Sequence, residues 1–316
     1  MALIRRLPID LGLNFMGRRK LFLAFSALLM LGSVVLAFTQ GLNFGVDFRG
    51  GILLEVRTQG PADLAQLRDR VGSLGIGAVT LQQFGDPSEV LINISRPEGE
   101  EGEQIHVISE VMAALGENVE MRRQEYVGPK IGDELKEAGL LATVLAMLAI
   151  GAYIWLRFEW QFGVAALIAL LHDVVATIGF YALTQIEFNL ATLAAVLTVA
   201  GYSINDTVVI FDRVRETLRR YKKLELVDLL NRAINTTMSR TLLTSLTTLL
   251  ALGALFFFGG EVIRGFTAGL IWGVAIGTYS SFGLAVPLLS YLKIRRGGED
   301  GKEETGETEA AGQPST

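Results

Sequence analysis

The stretch GYSINDTVVIFDRVRE, Gly201 to Glu216, carries Tyr202, Ser203, Asn205 and Asp206 near the end of an apolar run that begins at Leu190. An ionised carboxylate at mid-bilayer costs about 2.5–3.5 kcal/mol on insertion scales, so such a group faces a bundle interior and has a partner. Tyr202 and Ser203 precede Asp206 by one helical turn on the same face, and Asn205 adjoins it. This clustering points to a hydrated pocket. A carboxylate there can load and release a proton as helices move, because desolvation and a nearby cation push its protonation in opposite directions. The membrane potential supplies ~2.3 kcal/mol per charge per 100 mV to bias such a cycle.

A counterpart lies in SRTLLTSLTT, Ser239 to Thr248. Arg240 is followed at helical spacing by Thr244, Thr247 and Ala251, a small, hydroxyl-lined stripe leading away from a cation. Asp206 and Arg240 fall in the same half of the membrane, so an ion pair between them is possible. LLHDVV adds His172 and Asp173 about eleven residues, ~16 Å, inside their own apolar run, close to the midplane. Two readings stand. Asp206, Arg240 and Asp173 form a proton-coupling set supported by Asn205, Ser203 and Thr244; or Asp206–Arg240 is a static tie and Asp173 a hydrogen-bonded core group. His172 alone can simply bond a carbonyl.

These groups need helices that cross a bilayer. The chain has 316 residues, no cysteine and a mean hydropathy of +0.41. Six apolar runs are long enough to span: Leu21–Gln40, Ala138–Leu156, Phe162–Thr184, Leu190–Phe211, Thr241–Phe258 and Phe266–Leu292. The first is too long for a cleavable leader and ends in Ala37-Phe38-Thr39, a poor cleavage site, so it reads as a retained anchor. Basic residues crowd residues 1–20, 212–240 and the start of 293–316, whereas the short loops 185–189 and 259–265 hold Arg264 alone. By the positive-inside rule both termini are cytoplasmic. The basic stretch 212–240 is expected to form helix lying on the inner leaflet. The acidic 293–316 reads as a disordered tail.

The segment 41–137 reads as one extracytoplasmic α+β domain. Strands are expected at Ile52–Val56, Ala78–Phe84, Val90–Ser95 and Asn118–Val127, with helices at Pro61–Leu74 and Gln104–Leu115. That order is the split βαβ, ferredoxin-like pattern. In the last span Gly265, Gly269, Gly273 and Gly277 recur every four residues, a stripe that lets another helix approach closely. Pro287 is expected to kink that span's end. The chain offers no enzymatic constellation, no Gly-Lys-Ser/Thr phosphate loop and no metal cluster, since His106 and His172 stand apart. No enzyme activity, cofactor or nucleic-acid partner is expected.

GLNFGVDFRGG, VGPKIGDEL, LLHDVV, GYSINDTVVIFDRVRE and NTTMSRTLLTSLTT occur in one register. Together they resemble the SecF family of bacterial protein-export membrane proteins, a branch of the resistance-nodulation-division superfamily. The resemblance spans about Arg18–Arg296. It implies an inner-membrane subunit that pairs with a separate SecD and assists the SecYEG channel, with YajC as a further associate. The proton-motive force would help pull preproteins outward. Through the INDT and SRT motifs the family's intramembrane Asp and Arg correspond to Asp206 and Arg240; Asp173 matches the HDV motif. Gly45, Gly50 and Gly51 would then be flexible joints that turn helix motion into movement of the outer domain. The alternatives are a passive scaffold for SecD and the channel, or a small-molecule exporter. An outer domain under 100 residues argues against the last.

Overall fold

A computed structural model describes residues 12–83, 85–95, 101–116, 118–292 and 294. The first eleven residues, most of the acidic loop at 97–103 and the acidic tail expected at 293–316 lie outside these, Ile294 excepted.

Helix α1 (Arg19–Thr39) leads into a short α2 (Val46–Arg49) and then the outer domain: β1 (Gly51–Thr58), α3 (Leu64–Gly72), β2 (Ala78–Gln83), β3 (Glu89–Ser95), α4 (Glu101–Leu115) and β4 (Val119–Val127). The strands form one antiparallel sheet in the order β2-β3-β1-β4. Alternation places Ile52, Leu54 and Val56 of β1 on one face with Ile92 and Ile94 of β3, against Leu67 and Val71 of α3 and Val111 and Leu115 of α4. The other face carries Leu53 and Leu91, packed with Val46 of α2. Asp63 starts α3 by accepting from the amides of Ala65 and Gln66, both at 3.1 Å.

Five long helical segments complete the bundle: α5 (Pro129–Arg157), α6 (Trp160–Thr184), α7 (Leu190–Arg220), α8 (Leu226–Phe258) and α9 (Arg264–Ser280). Helix α9 continues through a π turn, Ser281–Ala285, into α10 (Val286–Leu289). Pro287 has no N–H to offer the carbonyls of the preceding turn, so the helix loosens where the sequence places a kink. With α1, this gives six helices apolar and long enough to cross a membrane. The apolar windows of α6 and α9 are 67% and 72% buried and that of α7 44%, against 11% for α1, α5 and α8. Three helices therefore form the centre and three shield it.

The basic stretch 212–240 is not a separate surface helix. Helices α7 and α8 run through it and leave only residues 221–225 as a turn. Leu229, Leu230, Ala233 and Ile234 are buried against Phe211, Val214 and Met16, so the apolar side of this stretch is protein core and not the inner-leaflet surface expected of it. Asn235 holds the chain start there: its amide donates to the Leu13 carbonyl at 2.8 Å and accepts from the Leu13 amide at 2.9 Å.

Candidate functional site

Three central helices meet at Asp173, which is fully buried on α6. Its Oδ1 lies 2.9 Å from Nδ1 of His172. Its Oδ2 accepts from the hydroxyl of Ser203 on α7 and, at 2.7 Å, from that of Ser280 on α9. Ser203 and Ser280 are themselves buried. One carboxylate thus ties α6, α7 and α9, and a fully engaged buried polar network stiffens the place it occupies. Nε2 of His172 is buried with no partner among the described residues.

Close approach makes these bonds possible. A Cβ on Gly277 would lie 2.8 Å from Ser203 Cβ, one on Gly273 2.0 Å from Val199 Cγ2, and one on Gly269 1.9 Å from the Tyr181 hydroxyl. Gly265 is looser, at 3.0 Å from Ile186 Cγ2. The four-residue glycine stripe of α9 is therefore the surface on which α6, α7 and the loop between them rest.

Hydroxyl contacts extend from this centre. Thr207 of α7 meets Ser281 at 2.9 Å, and Ser245 of α8 meets Thr278 at 2.6 Å. Tyr279 donates to the Phe22 carbonyl of α1 at 2.7 Å and contacts Ser26 at 2.9 Å. Its ring stands 6.3 Å from that of His172.

Asp206 lies three residues beyond Ser203 on α7, ~4.5 Å along the axis. It is buried, and its Oδ2 has no hydrogen-bond partner among the described residues. Among the described residues no ion pair of 4.0 Å or less joins it to Arg240, although Arg240 is the cation acting on it. The reason is helical phase. Helix α8 turns Thr237, Met238, Thr241 and Ser245 inward, which leaves Arg240, Thr244, Thr247 and Ala251 on its exposed side. Asn205 is likewise exposed. The structure thus brings Asp173 and Ser203 together, sets Asp206 one turn away, and leaves Arg240, Thr244 and Asn205 on an open polar face.

The glycines of the junction differ among themselves. Gly45 is buried; its amide donates to the Phe188 carbonyl at 2.9 Å, and the Phe188 amide donates back to Asn43 at 2.7 Å. A Cβ there would lie 2.3 Å from Glu187 Oε1. Gly50 and Gly51 have φ of 72° and 136°, a region that favours glycine. Asp47 of α2 accepts from the Leu190 amide at 2.9 Å, which docks α2 on the start of α7.

Sequence reasoning gave no hydrogen-bonding role to Thr207, Tyr279, Ser280 or Ser281. A signal was present: Thr278-Tyr279-Ser280-Ser281 is a run of hydroxyls inside an apolar helix.

Comparison with known proteins follows the same lines. Residues 107–295 match the family described as protein export membrane protein SecD/SecF, C-terminal, and residues 35–62 match the SecD/SecF GG motif. The chain is 44% identical over 297 residues to the protein translocase subunit SecF of Rickettsia felis, covering 93% of this chain and 96% of that protein. It is 50% identical over 281 residues to that of Magnetococcus marinus, covering 87% and 90%. Among solved structures, SecDF of Thermus thermophilus, a translocon-associated membrane protein, superposes with a TM-score of 0.79 at 34% identity over 93% of this chain. SecDF in its super-membrane-facing form gives 0.67 at 34% identity over 91%. The chain spans 40% of the length of each of those SecDF chains.

Proposed function

The chain belongs to the SecD/SecF family of protein-export membrane proteins, and from that premise we propose that it is the SecF half of a SecD–SecF assembly that uses the proton-motive force to assist preprotein export. The observation that carries this reading is the pair of buried carboxylates on two central helices: Asp173 of α6, bonded to Ser203 of α7, and Asp206 of α7, one helical turn beyond that serine. Burying two carboxylates is costly, so a membrane bundle that keeps them has a use for their protonation. Asp206, with one oxygen unpartnered among the described residues and Arg240 as its cation, is the group that exchanges the transported proton. Asp173 ties the helices around it and belongs to the same proton-coupling set.

SecD is the partner of the open polar face. Arg240, Thr244, Thr247 and Asn205 would otherwise meet lipid, and polar groups there are expensive. The wider machinery is the SecYEG channel, with YajC, and the preprotein itself. The chain lies in the inner membrane with both termini cytoplasmic. Its outer domain lies in the periplasm, and the βαββαβ order with strands β2-β3-β1-β4 supports reading it as ferredoxin-like. The work is movement of protons and polypeptide, with no covalent bond made or broken and no cofactor. The competing reading, a passive scaffold, draws on the saturated bonding of Asp173.

Preprotein export in cells carrying Asp206→Asn, with co-purification of SecD as the control for assembly, separates the two. The amide keeps size and hydrogen bonding but cannot cycle a proton. Export is expected to be lost while assembly persists, and Arg240→Met is the companion variant. Normal export would leave the scaffold.

A further inference from the structure

Two consecutive serines at the π turn of α9 serve two different helices. Ser280, the last residue of α9, reaches Asp173 on α6; Ser281, the first of the π turn, reaches Thr207 on α7. Both serines are fully buried. They also compete for one acceptor. The Gly277 carbonyl lies 3.1 Å from the Ser280 hydroxyl and 2.9 Å from that of Ser281, and it already accepts the Ser281 amide. A carbonyl oxygen has two lone pairs, so three donors cannot all be served.

We propose that Ser280 and Ser281 are positioning residues that relay the protonation state of Asp173, through the Gly277 carbonyl, to Thr207, the neighbour of Asp206. This deepens the proton-coupling reading above and rests on it. With Asp173 ionised, Oδ2 accepts from Ser203 and Ser280. Ser281 then donates to Gly277 and accepts from Thr207. When a proton arrives from solvent and forms an O–H bond at Oδ2, that oxygen becomes a donor. Ser280 accepts this bond and turns its own hydrogen to Gly277 O. Ser281 yields that carbonyl and turns its hydrogen to Thr207, which becomes an acceptor one residue from Asp206 and turns its own hydrogen to the carbonyl one turn back, as Thr177 and Thr217 do on their helices. Every serine and threonine keeps its proton; only hydrogen bonds reverse. The π turn is the part of α9 where such a change of partners meets least resistance, since its ladder is already interrupted. The titratable and charged groups around the path are His172 on α6, Tyr202 on α7, Arg240 on α8 and Tyr279 on α9.

The test uses the full chain with its SecD partner in lipid vesicles. The carboxylic-acid infrared bands of Asp173 and Asp206, assigned by their loss in D173N and D206N, are titrated with pH. Replacing Asp173 by Asn is expected to move the Asp206 midpoint by about 1 pH unit, the scale of coupled sites. Ser281→Ala and the near-isosteric Thr207→Val are expected to abolish that displacement, whereas Thr207→Ser, which keeps the hydroxyl, retains it. A displacement that survives in both S281A and T207V, or its absence in the parent protein, overturns the relay. Normal export by D206N would instead overturn the proton-coupling reading, so the two failures are distinct.

Discussion

Gly51 stands opposite Val127 across β1 and β4. The strand that leaves α2 and the strand that leads through Gly128 into α5 therefore share one end of the sheet. The outer domain is joined to the long helices by these two adjacent strands.

Gly50 and Gly51 lie at the base of those strands, where the expected flexible joint would act. Their φ values of 72° and 136° lie where an L side chain is strained, by roughly 1–2 kcal/mol per residue. Proline, locked near −65°, cannot follow either. The double variant Gly50→Pro, Gly51→Pro is expected to lose preprotein export while SecD still co-purifies. Wild-type export rates in that variant would show that movement at this junction is not used.

Gly273 gives a packing prediction. A methyl there would meet Val199 Cγ2 at 2.0 Å, so Gly273→Ala forces α9 away from α7. Overpacking of this kind costs about 1–3 kcal/mol. The thermal unfolding midpoint in detergent is expected to fall, and Val199→Ala added to Gly273→Ala to restore part of it. Gly253 on α8 has open space around its missing Cβ, so Gly253→Ala is the control and leaves the midpoint level or higher. Equal losses at both glycines would mean that the close approach is not what matters.

The elements were more legible than their facing. Long apolar runs and a period of two locate six helices and four strands, because burial in lipid or against a sheet imposes those patterns. Yet α5 starts at Pro129, α7 ends at Arg220 and α8 starts at Leu226, well outside the apolar runs that mark them. Asp173 and Ser203 could be singled out as polar intruders, and they do touch. The sequence could not show which side of α8 turns inward. Arg240–Thr244–Thr247 and Thr237–Thr241–Ser245 are equally good stripes, and only packing against α9 selects the second. Nor could it separate helix from interfacial surface at 226–234, since Leu229 and Ile234 look alike to a bilayer and to the Phe211 core. Ser280 escaped because it lies three residues beyond Gly277, in phase with the glycine stripe, where a small residue is already explained by close packing.

Glu187 makes the seating of the outer domain depend on pH. It sits in the loop between α6 and α7, packed against Gly45, with Asp47 of α2 and Glu125 of β4 as like charges and Arg49 as the opposing one. Burial first, and then repulsion from Asp47 and Glu125, hold its carboxyl above the ordinary value of 4.5; Arg49 draws it back. A carboxyl raised in the fold binds its proton more tightly folded than unfolded. Its contribution is complete below the unfolded value and is lost as pH rises through the higher folded one. Because Glu125 belongs to the sheet, charging Glu187 loosens the sheet from the helices beneath it. The amides of Gly45 and Phe188, bonded across this junction, report the change. Their hydrogen-exchange protection, corrected for intrinsic rates, is expected to decline as pH climbs past the carboxylate range. Glu187→Gln should keep it high and flat. An unchanged decline in that variant would show that Glu187 is not the group whose charging loosens this junction.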